Sequence, residues 1–234
     1  IITPKEFQVN LELCKTPFRA DWDAISMGYS AFDTLPPDFA SFLVAHVAEK
    51  VATKIENNIW AGDDDVEGEF DGLVALATAD ATVVDVVGTS ITSANVIDEL
   101  GKVVDAIPAA LYGSADLKIY VAQNVYKSYV RSLGGFASNV GSNGVNGQGT
   151  NQSLGDVMFD GVPVFVANGL ANNYIVAAES SNLFFATGLL SDENEVKVLD
   201  MQDLDGSQNV RVILRFTATV NYAYGSEVVL YTPA

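Results

Sequence analysis

The sequence predicts an α+β fold built on one rod-like helix and one very long strand. Three observations carry this. Apolar residues recur every four positions from Phe39 to Ile59. A period-two alternation runs from Asn209 to Tyr224. Short strands and helices fill the space between, with no fixed-period repeat. The 234 residues suffice for one large domain or two small intertwined ones.

Phe7, Val9, Leu11 and Leu13 alternate with Gln8, Asn10 and Glu12, which predicts a strand with one buried face, ended by Pro17. Asp21 to Asp33 shows no clean periodicity around Trp22, Met27, Tyr29 and Phe32. Phe39, Leu43, Val47, Val51, Ile55 and Ile59 then form the apolar stripe of a long amphipathic helix. It opens on Pro36-Pro37, where a missing N–H costs nothing, and stops at Ala61-Gly62-Asp63. About 23 residues at ~1.5 Å each give a rod of about 35 Å.

Ser90 to Tyr112 is predicted as a second helix, N-capped by Ser93 and kinked or ended by Pro108, with Val96, Leu100, Val103, Val104 and Ile107 on one face. Leu117 to Ala122 is expected as a buried strand and Asn124 to Leu133 as a third helix. Residues 134–155 are rich in Gly, Asn, Ser and Gln and predict a long loop. The remainder is β-rich: Val162 to Val166, Tyr174 to Ala178, Glu195 to Met201, Asn209 to Tyr224 and Glu227 to Thr232. Sixteen residues is far above the usual strand of about six. In that strand Val210, Val212, Leu214, Phe216, Ala218, Val220 and Tyr222 share one face.

Hydrophobic residues make up 49% of the chain and charged residues 18%, which excludes a disordered protein. The formal net charge of −18 argues against broad nucleic-acid binding and against docking on anionic membranes. Cys14 is the one cysteine, so no internal disulfide forms and a reducing folding compartment is the simplest reading. No run approaches a membrane span of about 18 apolar residues. No signal-peptide pattern opens the chain, and it starts at Ile1 without an initiator Met, so further residues are expected upstream.

Catalytic constellations are scarce. His46, the only histidine, falls on the surface of the long helix and reads as structural or solvent-facing. Cys14 reads as a buried or half-buried structural thiol. No nucleophile elbow, phosphate-binding loop or H-E-x-x-H is present, and the glycines of 134–149 lack the strand–turn–helix context of a dinucleotide site. Neither a catalytic residue nor a cofactor is assigned. The acidic run Asp63, Asp64, Asp65, Glu67, Glu69 and Asp71 echoes a calcium loop, with Gly68 at its sixth position, and makes Asp63, Asp65 and Glu67 candidate ligands. The match fails at the twelfth position, Val74, where a bidentate Glu is required. A solvated acidic turn is the expectation. Arg211 and Arg215, four apart on one strand face with Lys197 nearby, are expected to pair with carboxylates of this chain or of a neighbouring subunit.

The segment from Ile55 to Leu73, with Trp60-Ala61-Gly62-Asp63 before the acidic stretch and Glu69-Phe70-Asp71-Gly72-Leu73 after it, resembles the end of the spine helix in major capsid proteins of tailed bacteriophages of the Hong Kong 97 type. Phe159-Asp160-Gly161-Val162-Pro163-Val164 is similar to a Gly-aliphatic-Pro-Val strand of that family, and Ser180 to Thr187 to another of its segments. The 209–224 strand resembles the return strand along the spine, and 227–232 the closing strand. The order of these motifs covers nearly the whole chain.

This resemblance implies a peripheral domain of residues 1–80 and 191–224, with the spine helix at about 37–61, and a mixed α/β axial domain of 81–190 and 225–234. It implies that the N-terminal arm and most of the extended loop are absent, with residues 1–18 the return strand of that hairpin. It also implies a structural, non-enzymatic role. Subunits would self-assemble into hexamers and pentamers of an icosahedral shell, formed in the host bacterial cytoplasm and ending in the virion. Its partners would be other copies of itself, scaffold, portal and decoration proteins, and packaged DNA held without sequence-specific binding, with no membrane. An encapsulin-like nanocompartment subunit, and a surface module binding calcium through the acidic run, stay open as alternatives.

Overall fold

The computed structural model describes residues 2–14, 37–133, 157–188 and 196–234. The elements in chain order are β1 (Lys5–Cys14), α1 (Pro37–Ala61), α2 (Leu73–Ala79), β2 (Val84–Gly88), α3 (Val96–Ala106), β3 (Leu117–Val121), α4 (Gln123–Ser132), β4 (Met158–Phe159), β5 (Val162–Val166), β6 (Ile175–Glu179), β7 (Leu183–Ala186), β8 (Val196–Asp200), α5 (Gln202–Asp205), β9 (Asn209–Tyr222) and β10 (Val229–Pro233). The predicted loop 134–155 and the 21–33 stretch lie outside the described residues, as do the side chains of Phe39, Phe42 and Leu43.

The chain divides into two compact units, Ile1–Ile55 with Ala186–Thr219 and Glu56–Phe185 with Val220–Ala234. In the first unit β9 is the organising strand. β1 runs antiparallel to it from Lys5 opposite Ala218 to Cys14 opposite Asn209. β8 pairs Val196 with Leu214 through Asp200 with Val210. Since β1 already occupies one edge of those residues, β8 must hold the other. Val210, Val212 and Ala218 are fully buried, so the alternation read from the sequence is the one the sheet uses. The strand ends at Tyr222, two residues short of the expectation.

β1 has β9 as its one strand neighbour among the described residues, and it is less buried than its pattern predicts. Phe7, Val9 and Leu13 are half-buried, and Leu11 is 39% exposed. Phe7 stacks on its register partner Phe216 at 5.5 Å. Cys14 falls on the opposite, polar phase with Gln8, Asn10 and Glu12 and is exposed, which corrects the expectation of a buried thiol. Arg211 finds its partner within the chain: its Nη2 donates to Glu12 Oε2 at 2.9 Å, and Asn209 Nδ2 donates to Glu12 Oε1 at 2.7 Å.

α1 spans 25 residues, about 37 Å. Its period-four stripe holds, with Val47 only 2% exposed and Val51, Ile55 and Ile59 half-buried, while Ala45, Ala48, Glu49, Lys50, Ala52, Thr53 and Lys54 are exposed.

The second unit centres on a six-stranded sheet of order β2-β10-β6-β3-β5-β4. β2 with β10 and β3 with β5 are parallel, and the other pairs antiparallel. α3 packs on β2, β10 and β6 and touches α4. α4 reaches the other end of the sheet, where the Tyr129 hydroxyl donates to the Met158 carbonyl at 2.8 Å and its ring meets Phe159 edge-on at 5.7 Å. Val96, Leu100, Val103, Ile119, Val121, Val125 and Ile175 are completely buried between helices and sheet. Each such aliphatic contributes about 1.5–3 kcal/mol of transfer free energy.

α3 is shorter than the predicted 90–112 helix. The Asn95 side chain, not Ser93, organises its start: Oδ1 accepts from Thr92 N and Thr92 Oγ1, and Nδ2 donates to Thr89 Oγ1 and the Ser90 carbonyl. These bonds hold 89–95 in turns that compete with helix. The helix stops as expected before Pro108. At the far edge, β4 and β5 are joined by the two-residue turn Asp160-Gly161, with φ of 46° and 82°, the type I′ geometry that suits a hairpin.

Asn182 clamps the end of β9. Although only 4% exposed, both its polar atoms are bonded: Oδ1 accepts from Ala223 N at 3.0 Å and Tyr224 N at 2.9 Å, and Nδ2 donates to the Tyr224 carbonyl at 2.9 Å. Asn182→Ala strands these groups and is expected to lower unfolding free energy by about 2–3 kcal/mol, checked by urea titration.

Candidate functional site

The acidic turn begins where α1 ends. Gly62 N closes the last helical turn onto the Asn58 carbonyl at 3.1 Å, and Gly72 N returns to the Gly62 carbonyl at 2.9 Å. The two chain segments approach so closely that a Cβ on Gly72 would lie 2.7 Å from backbone atoms of Asn58, Trp60 and Gly62. Inside this closed turn the carboxylates serve the backbone. Glu69 Oε2 accepts from Asp63 N, Asp71 Oδ1 from Asp64 N, and Asp63 Oδ1 from Asp65 N. Asn58 Nδ2 donates to the Gly68 carbonyl at 3.3 Å. Asp63, Asp65 and Glu67, the candidate metal ligands, are all exposed. Among the described residues no three carboxylate, histidine or cysteine side chains converge as a cation site would require. The side chains at this turn hold its shape.

One constellation escaped the sequence. Asp116 accepts from the Ser180 hydroxyl and from Ser181 N, and Lys118 Nζ donates to Ser180 Oγ at 2.9 Å while lying 5.5 Å from the Phe165 ring centroid. The bonds from Ser180 and then Ser181 pull the Asp116 carboxyl down to about 2. A serine between lysine and aspartate has the composition of an activated nucleophile. Here the hydroxyl proton is committed to the carboxylate and its lone pair to the ammonium. The three groups therefore fasten the start of β3 to the turn after β6.

A second cluster is buried. Tyr231, with no exposed surface, donates toward Glu99 Oε2 and the Thr89 carbonyl, both at 2.8 Å. Glu99 also accepts from Thr89 Oγ1 and Lys102 Nζ. An acidic residue on the buried phase of α3, between Val96 and Val103, was the sequence signal for it. His46 is half-buried on α1.

The remaining features are on the surface of the second unit. Asp85 on β2 and Asp98 and Asp105 on α3 are exposed, with Val87 67% and Ile97 47% exposed beside them in sequence. Lys127 and Arg131 lie one turn apart on the outer face of α4, whose inner face meets the β4 end of the sheet. Met158 and Tyr112 are half or more exposed there, and the Tyr112 hydroxyl donates to the Asp160 carbonyl at 2.9 Å. A shallow cavity of about 420 Å³ is lined there by Tyr112, Met158, Val162 and Pro163 together with the Gly113–Ala115 and Asp160-Gly161 turns.

No family model and no curated protein matches the sequence. Solved structures do. The chain is similar to the capsid of an empty GTA particle, with a TM-score of 0.65 at 15% identity over 99% of this chain and 74% of that one. It is similar to the satellite phage P4 procapsid, with a TM-score of 0.61 at 10% identity over 98% of this chain and 75% of that one. An encapsulin complex from Synechococcus elongatus matches with a TM-score of 0.54 at 11% identity over 97% and 73%. The chain therefore has the Hong Kong 97-like capsid fold, an α+β architecture shared over nearly its whole length.

Proposed function

We propose that this chain is the shell-forming major capsid subunit of a tailed bacteriophage, working by self-association and not by catalysis. The observation that carries the reading is the fold likeness over 97–99% of the chain to the three particle-forming chains above. The side-chain arrangement supports it, since the polar clusters described here tie segments of the chain together. Hexamers and pentamers of the subunit enclose DNA, formed in the host bacterium and retained in the virion. Residues 1–80 and 191–224 are the peripheral domain and residues 81–190 and 225–234 the axial domain. An acidic wall, at a formal net charge of −18, suits a container that does not grip its cargo.

The encapsulin likeness supports a second reading, a nanocompartment loaded with protein. One experiment separates the two. The intact gene product is expressed with and without phage scaffold protein and viewed by negative-stain electron microscopy, with a nuclease-protection assay on purified particles. Closed shells or capsomer rings are expected. Protected DNA selects the phage reading and its absence from filled particles selects the nanocompartment. Monomers alone under both conditions overturn both.

A further inference from the structure

We propose that Asn168 is a site of spontaneous covalent modification. The backbone nitrogen of Gly169 attacks its side-chain amide, giving a succinimide that water opens to isoaspartate and aspartate. The site goes beyond the shell-subunit reading and does not depend on it.

Asparagine is among the thermolabile residues, and its neighbours decide how fast it reacts. Asn168 is the one asparagine among the described residues that a glycine follows, and glycine carries no side chain to screen its nitrogen. Asn168 is exposed, and neither its side-chain amide nor Gly169 N makes a hydrogen bond among the described residues. Other asparagines are held: Asn58, Asn95, Asn124, Asn173 and Asn182 all have bonded side chains. The Asp-Gly pairs are worse placed. Gly72 N donates to the Gly62 carbonyl and Gly206 N to the Gln202 carbonyl, so both nitrogens are occupied. Asp160, before Gly161, is a carboxylate and resists attack by an amide nitrogen.

Packing keeps the reactive pair in place. A Cβ at Gly169 would run into the Glu56 carbonyl oxygen and lie 2.9 Å from Asn57 Cα, both in α1. The close approach to α1 therefore demands the residue that makes Asn168 reactive.

The reaction balances with water alone. Gly169 N gives its proton to base and bonds to Asn168 Cγ, the Cγ–Nδ2 bond breaks, and ammonia leaves. Water opens the ring at Cγ to give aspartate, or at the backbone carbonyl to give isoaspartate. Isoaspartate routes the main chain through the side-chain methylene and lengthens it by one carbon. The turn is closed by Leu170 N on the Ala167 carbonyl at 3.2 Å, between residues only 7% and 3% exposed. A lengthened chain cannot keep that bond with both neighbours buried, so the modification loosens the turn beside Glu56.

The test ages the intact gene product at physiological temperature in mildly acidic and mildly alkaline buffer. Chymotrypsin then cuts after Phe165 and Tyr174, which separates Asn168 from Asn143 and Asn146, each also followed by glycine. Mass spectrometry and labelling by an isoaspartate-specific methyltransferase read the peptide. An amide-to-acid mass gain with isoaspartate label is expected at Asn168 of the folded chain. Its rate should rise about tenfold per pH unit, because the attacking species is the deprotonated nitrogen. The aged chain should melt about 2–4 °C lower, the loss of one hydrogen bond in a chain of this size. Asn168→Gln, whose longer side chain disfavours ring closure, should age without that loss. Fresh Asn168→Asp, with the charge but not the extra carbon, should melt with the unaltered chain. The proposal is overturned if Asn168 stays an amide in the folded chain, whether or not a urea-unfolded sample reacts, or if the rate does not rise with pH. An equal fall in melting temperature on ageing of Asn168→Gln overturns the loosening of the turn.

Discussion

Gly72→Ala is expected to lower unfolding free energy by about 3 kcal/mol or more, a loss of roughly 6–12 °C in melting temperature for a chain of this size. The substituted Cβ would meet the Asn58 carbonyl oxygen, Gly62 N and Trp60 C at 2.7 Å, and all three are backbone atoms near the end of α1. A side chain can rotate away from an intruding methyl, but a helix end cannot. The turn must open, losing the Gly72-to-Gly62 hydrogen bond and the carboxylate–amide bonds inside it. Gly101→Ala is the control. Gly101 lies within α3 with no atom within 4 Å of its would-be Cβ, so alanine there should stabilise by about 0.5–1 kcal/mol through helix propensity. Calorimetry of both variants checks the pair. Equal effects would show that close approach at the acidic turn is not what holds it.

Glu99→Ala is expected to remove about 2–4 kcal/mol, because it takes the shared acceptor from three donors around a buried tyrosine. Burial alone would raise the Glu99 carboxyl, but bonds from Lys102, Tyr231 and Thr89, with the Lys102 charge, outweigh it and leave the group below its ordinary value of 4.5. Burial, and then the same carboxylate, push the Tyr231 hydroxyl up. A depressed carboxyl binds its proton less readily folded than unfolded. Its contribution is therefore complete above the unfolded value and lost as pH falls through the folded one. Glu99→Gln keeps the shape without the charge. The stability gap between wild type and Glu99→Gln should be widest near neutrality and narrow below pH 4.5, measured by urea titration across that range. A gap independent of pH would mean that the charge of Glu99 adds nothing.

The elements that strong periodicity defined were legible in the sequence. The period-four stripe through Val47 and Ile55 and the alternation through Val210 and Val220 each pick out the less exposed face of its element, so pattern and burial agree. The start of α3 was not legible. Ser93 and Asn95 are both good caps by type, and the choice depends on Asn95 reaching back to Thr89, Ser90 and Thr92. The Asp160-Gly161 turn is a strong hairpin signal by residue type, but its first strand, Met158–Phe159, is too short to show an alternation of its own. The exposure of Cys14 and Leu11 required knowing that, among the described residues, β1 pairs with β9 and no other strand. The Lys118–Ser180 and Tyr231–Glu99 bonds join residues 62 and 132 positions apart, at a range where sequence spacing carries no geometric information.

The position of β10 also sets when this molecule can become itself. The last strand is not appended to the sheet but inserted in its interior, between β2 and β6. β2 is thus made early and left without this neighbour until residues 229–233 are synthesised. Val84 waits for Val229. That separation is 145 residues, about 7–29 s at a translation rate of roughly 5–20 residues per second. A nascent chain that has not yet reached Val229 cannot complete this sheet. Any chain released short of Val229 lacks the strand permanently. Synthesis itself then acts as the timer, so that the sheet closes only in chains extended past Val229.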